Sequence, residues 1–230
     1  MLSQRGFEAA FKYMDMFLEG LVCTVSLSAM TVLFGFMLAL VLALMRMAKF
    51  KPLNWVAATY VEIFRATPLL VQLFIVYHVL LAGLDLPTWK IFGFIRFERF
   101  IPGVIALSLN SGAYLSEIIR SGIQAVDIGQ TEAARSLGLT KGMTMRKVVL
   151  PQAVKNILPA LGNEFVTIIK ETSLASTFFV GDLMTAYLTV KGVTYLAFES
   201  LIIVGAIYFI LTFTLSKLVG AYERRLKQSD

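Results

Sequence analysis

Six ionisable side chains, Glu62, Arg65, Glu117, Glu164, Lys170 and Glu171, interrupt stretches of chain that are otherwise apolar. A charge at hydrocarbon depth is costly, so such residues face a bundle interior or a wet cavity and mark the route of a polar solute. Their types favour non-covalent recognition over bond making. A single cysteine (Cys23) and a single histidine (His78) leave no raw material for a disulfide framework, a Cys/His zinc site, or more than one candidate Ser-His-Asp arrangement. No catalytic residue and no metal ligand is assigned. His78, among apolar neighbours, reads as an interfacial or packed side chain. Glu62 and Arg65 stand three apart, a spacing at which they can pair on one helix.

Composition sets the elements that must hold these residues. Of 230 residues, 57% are hydrophobic and 16% charged, against about 45–50% and about a quarter in soluble domains. The apolar excess is gathered in five runs: Gly20 to Met45, Leu53 to Leu81, Ile101 to Ser121, Ile157 to Thr177 and Phe198 to Val219. At about 1.5 Å per residue, such runs cross a hydrocarbon layer about 30 Å thick. They are too uniformly apolar for barrel strands, so the expected fold is all-α, a polytopic membrane bundle of five transmembrane helices. Pro68 is placed to kink the second run. Gly112 and Gly122 allow close helix contact in the third. Residues 1–16 read as a retained amphipathic lead-in, with Phe7, Phe11 and Met14 as its stripe, and not as a removed signal peptide.

The net charge of +6 does not call for a nucleic acid. Its lysines and arginines lie between the apolar runs, where the bias of cytoplasmic loops toward positive charge accounts for them. Thirteen fall on one side, from Arg46, Lys49 and Lys51 through the 121–156 connection to the basic tail at 221–230, and six on the other. The C-terminus is expected in the cytoplasm and the N-terminus outside, in the cytoplasmic (inner) membrane.

The connection at about 121–156 is structured. In Asp127-Ile128-Gly129-Gln130-Thr131-Glu132-Ala133-Ala134-Arg135-Ser136-Leu137-Gly138, Thr131 is a candidate cap, Glu132 complements the helix N-terminal dipole, and Gly138 ends the helix. A second short helix is expected from near Thr140 to Leu150-Pro151. Ala133 and Ala134 make a thin element that a groove on another protein could admit. On composition alone this remains a capped, solvated loop helix.

Glu132-Ala133-Ala134, Gly138 and Val149-Leu150-Pro151 resemble the EAA loop of binding-protein-dependent ABC importers. Arg65-Ala66-Thr67-Pro68-Leu69-Leu70-Val71-Gln72, Gly112-Ala113-Tyr114-Leu115-Ser116-Glu117-Ile118-Ile119-Arg120 and Lys170-Glu171-Thr172-Ser173-Leu174 are similar to the polar amino acid uptake permeases of that superfamily. The resemblance covers roughly residues 17–220, and Ala66 departs from the glycine many relatives carry. It implies a type I importer permease domain that pairs with a copy of itself or a related permease. It also implies two cytoplasmic ATPase subunits and an external substrate-binding protein. The coupling role falls on Glu132, Ala133, Ala134 and Gly138, with Leu150 and Pro151 closing the loop. The chain has no G-x-x-x-x-G-K-[ST] loop, so ATP and Mg are expected on the partner ATPase and no cofactor on this chain.

An amino acid needs acceptors for its ammonium and donors for its carboxylate. Asn163, Glu164, Lys170, Glu171, Thr172 and Ser173 offer both along the fourth run. In a simpler reading, Lys170 and Glu171 neutralise partners on adjacent helices. Arg65, Gln72, Asn110, Tyr114 and Glu117 complete the candidate path. An ion-gradient transporter or channel is the rival reading, and a membrane-embedded enzyme a third, for which the single histidine leaves little scope.

Overall fold

A computed structural model describes residues 4–227, so residues 1–3 of the expected lead-in and 228–230 of the expected tail lie outside it. The described chain is helical apart from one small hairpin. Helix α1 (Gln4–Phe11) is followed by the 34-residue α2 (Met14–Met47), then α3 (Lys51–Ala66) and α4 (Leu69–Gly83). The expected lead-in is therefore not one element. Phe7 and Met14 pack into a core cluster around Phe17, Leu183 and Ile203, whereas Phe11 is exposed.

The second apolar run is not one helix. Thr67 is extended at φ −109°, ψ 143° because the Pro68 ring excludes the helical conformation before it. The chain bends by 108° between α3 and α4. The bend is stapled by the Gln72 amide, which donates to the carbonyls of Phe64 (2.9 Å) and Thr67 (3.1 Å) and to Thr67 Oγ1 (2.8 Å). A hairpin of β1 (Lys90–Ile91) and β2 (Ile95–Arg96) then leads into α5 (Phe97–Gln124).

Helix α5 is the hub, packed against α2, α3, α4 and the later helix over Leu150–Glu171. Its contact with α2 is close because Gly112 has no side chain: a Cβ there would sit 2.7 Å from Leu38 Cδ2. Two short helices follow in the 121–156 connection, α6 (Ile128–Ser136) and α7 (Lys141–Thr144). Asp127, not Thr131, caps α6, its Oδ1 accepting from Gly129 N at 2.7 Å. The aspartate stands at the extended residue where the helix begins, and Thr131 is already inside it. The second helix starts near Thr140 as expected, and the Thr140 hydroxyl caps α7, accepting from Met143 N at 3.3 Å.

The helix begun at α7 does not end at Pro151. It passes through a π-helical turn (Met145–Val149) into α8 (Leu150–Glu171). The wider turn comes just before the proline, where the missing N–H would otherwise break the ladder, so the helix continues. Beyond α8 lie a 3₁₀ segment (Thr172–Phe178), α9 (Leu183–Thr194) capped by Asp182, and α10 (Ala197–Lys227). The fourth run thus reaches beyond Thr177 into a second helix across a 44° bend.

Among the described residues, two helices (α2 and α10) are long and apolar enough to cross a membrane, and up to four spans result if each bent pair is one. Helix α5 is not among them, in keeping with Ser108, Asn110, Ser111, Ser116 and Glu117 along its length. Each of the five apolar runs is nonetheless helical, and the fold is the all-α polytopic bundle expected.

Candidate functional site

A cleft of about 380 Å³ opens between α3, α5 and α8. Tyr114, Glu117, Ile118, Ser121 and Gly122 form one stripe of α5 at helical spacing, continued by the cap residue Ala125; Arg65 enters from the last turn of α3, and Asn156 and Ala160 face them from α8. Helix α8 can approach because a Cβ on Gly122 would lie 2.3 Å from Ile157 Cγ1, closer than any side chain tolerates. Asn156 Nδ2 donates to the Gly122 carbonyl at 3.5 Å.

Arg65 does not pair with Glu62; no salt bridge joins them among the described residues. Its guanidinium lies over the Tyr114 ring, 5.6 Å from the centroid, a cation–π contact. Both side chains are exposed to the cleft region. Glu117 is engaged instead by two arginines, Arg46 from the end of α2 and Arg120 one turn along α5, the latter through Nε at 3.1 Å. With its carboxylate thus occupied, the group left to meet a solute is the Arg65 guanidinium, whose planar fork matches a carboxylate.

The remaining candidates divide. Gln72 and Asn110 are buried at the α3–α4 bend, joined by Asn110 Nδ2 donating to Gln72 Oε1 at 2.8 Å. Thr172 is buried and donates to the Ile169 carbonyl at 2.7 Å. Lys170 and Ser173 line a second cleft of about 290 Å³, with Met184 of α9 and Leu201, Val204, Gly205 and Tyr208 of α10. Asn163 is exposed, and Glu164 and Glu171 are half-buried on α8, outside both clefts. Among the described residues no salt bridge ties Lys170 or Glu171 to a neighbouring helix, so the expected neutralising pairs do not form. Asn156 and Arg46 were missed. Asn156 could have been found as an amide immediately before the apolar run that starts at Ile157, but nothing local tells Arg46 of a partner 71 residues away.

Near the N-terminal end of α8, Glu132 and Ala133 are exposed on α6 and Ala134 is buried. Gly138 at φ +83° closes α6: its N–H donates to the Arg135 carbonyl (3.0 Å) and Leu139 N to the Ala134 carbonyl (3.2 Å), a Schellman motif. Ile128 and Leu137 are exposed at 70% and 82%, an apolar surface with no cover in this chain. Leu150 and Pro151 are also exposed. Helix α6 packs on the π-helical turn, and Gln152 Nε2 at the start of α8 donates to Gln130 Oε1 at 3.3 Å. One helical column therefore runs from the α6 contact to Asn156 in the cleft wall.

Residues 31–228 match the family described as binding-protein-dependent transport system inner membrane component. The chain is 42% identical to the arginine transport system permease protein ArtQ of Bacillus subtilis strain 168 over 224 residues, covering 97% of this chain and 98% of that one. It is 41% identical to a putative glutamine transport system permease protein GlnP of Rickettsia bellii, covering 90% and 91%. Among solved structures it resembles an amino acid ABC transporter crystallised with histidines, at TM-score 0.89 and 46% identity, covering 98% of this chain and all of that one. The methionine ABC transporter MetNI, at 17% identity and TM-score 0.66 over 90% of this chain and 96% of that one, shares the fold.

Proposed function

Because the chain belongs to the binding-protein-dependent transport system inner membrane components and is a permease subunit of an amino acid ABC importer, we propose that the Arg65 cleft receives the amino acid it carries. The observation that carries this reading is the Arg65 guanidinium poised over Tyr114 in a wall continuous with the α6 loop. Arg65 supplies donors for the α-carboxylate, Tyr114 an aromatic face for a cationic group, and Asn156 an amide for either end. Lys170 and Ser173 form a second polar station in the same path, with Asn163, Glu164 and Glu171 beside it.

Transport proceeds by alternating access between two packings, and the solute shifts their balance only by its difference in affinity for them. The power stroke is external. Two cytoplasmic ATPase subunits, holding ATP and Mg, seat α6 through Glu132, Ala133 and Ala134, with Gly138, Leu150 and Pro151 fixing the loop. Movement of α6 is passed along α8 to the wall at Asn156 and Gly122. The functional unit pairs this chain with a second copy or a related permease and takes solute from an external binding protein. Residues 17–220 form the permease domain in the inner membrane, with the N-terminus outside and the basic tail in the cytoplasm. An ion-gradient transporter is not favoured, since the relatives are ABC permeases.

Reconstitution with an ATPase and a binding protein tests this. Glu132→Arg is expected to abolish ATP-driven uptake while leaving the chain folded. Undiminished uptake by that variant, or accumulation by the purified chain without any ATPase, overturns the reading.

A further inference from the structure

Where α2 ends and α3 begins, a cleft of about 510 Å³ is lined by Ala48, Lys51, Pro52, Asn54 and Trp55. The turn is tightly held: Ala48 N donates to the Met45 carbonyl at 3.2 Å, Leu53 N to the Phe50 carbonyl at 3.2 Å, and the Asn54 amide to the Arg46 carbonyl. Phe50 and Trp55 are exposed at 67% and 79%, and Leu44, Met47 and Val56 around them are exposed too. Hydrocarbon covers such a surface at low cost. No Asp or Glu occurs from Gly20 to Val61. Arg46 is engaged by Glu117, whereas Lys49 and Lys51 enter no salt bridge among the described residues. Two uncompensated ammonium groups and a protruding indole thus sit together at the end of a 34-residue apolar helix.

That grouping matches the phosphate level of a membrane: indole rings settle at the interface, and lysines beside them attract anionic headgroups. We propose that this cleft is a binding site for the headgroup of an anionic phospholipid of the inner leaflet, its phosphate met by Lys51 and Lys49 and its glycerol region by Trp55. A soluble anion does not account for the apolar rim, which a phospholipid's acyl chains cover. The inference rests on the cytoplasmic placement of this end of α2.

The test uses Trp55 as the reporter. The chain has two tryptophans, so the full-length Trp89→Phe variant leaves one. In phosphatidylcholine vesicles, acyl-brominated phosphatidylglycerol is expected to quench Trp55 with an apparent affinity about fivefold above that of brominated phosphatidylcholine for each lysine engaged. Lys49→Gln with Lys51→Gln should remove the preference, Lys51→Arg should keep it, and inorganic phosphate should not relieve the quenching. Equal quenching by the two lipids, a preference that survives loss of both lysines, or relief by free phosphate overturns the site. Uptake by the complete complex is measured separately, so absence of lipid selectivity in the Trp89→Phe protein with intact transport counts against this site and not against the permease reading.

Discussion

The guanidinium of Arg65 stands 5.6 Å from the ring centroid of Tyr114, joining the end of α3 to the middle of α5 across 49 residues of sequence. The ring holds the cation without neutralising it, which a carboxylate would do. Arg65 is thereby fixed and still able to take an anion. Replacing it with glutamine keeps hydrogen-bonding capacity and removes the charge. Uptake by Arg65→Gln in reconstituted vesicles is expected to fall about tenfold to a hundredfold, the range set by about 1.5–3 kcal/mol for a charged hydrogen bond. Assembly and basal ATP hydrolysis should persist. Unchanged uptake would remove Arg65 from the path.

Glu117 is the shared anion of Arg46 and Arg120. Glu117→Gln leaves two half-buried guanidinium groups repelling each other, with an expected loss of about 1–3 kcal/mol. Thermal melting of the purified protein reads this directly. Because the group is partly solvated, Arg46→Met combined with Glu117→Met should recover part of the loss seen in Glu117→Met alone.

Gly122 lies where a Cβ would be 2.3 Å from Ile157 Cγ1. Gly122→Ala forces α5 and α8 apart and is expected to cost about 1–3 kcal/mol. Ile157→Ala removes the Cγ1 in the way, so the double variant should lose less stability than the sum of the two single changes. Strict additivity of the two changes would mean that the contact is not tight.

Gly138 holds φ +83° with nothing within 4 Å of a built Cβ, so conformation and not space constrains it. Gly138→Ala should weaken the Schellman closure of α6 by about 1 kcal/mol. Stability changes little on that scale. The expected readout is looser coupling, with more ATP hydrolysed per solute carried by the reconstituted complex, while binding of solute is unaffected.

Much of the molecule was legible along the chain. The apolar runs announce helices because a backbone in lipid must satisfy its own hydrogen bonds, and Thr140 and Gly138 mark helix ends because their effects are local. Pro68 was readable as a kink, but its 108° depended on the Gln72 amide reaching back to Phe64 and Thr67. Pro151 was misread as a stop, since a π-helical turn is a rearrangement of the whole preceding segment and has no composition of its own.

The sequence by itself determined that the chain is helical and lipid-embedded, which of its ends and loops are basic, and which residues could meet a polar solute. All of these follow from residue type and spacing within one element. Only the tertiary structure decided which charges remain available. Glu62 and Arg65 are neighbours on one helix yet do not pair. Glu117 is claimed by Arg46 from 71 residues away, while Arg65 rests on Tyr114 and stays open to an anion. The reason is that an ion pair forms where packing brings side chains together, and that packing depends on distant residues, such as the missing side chains at Gly112 and Gly122, that let helices approach.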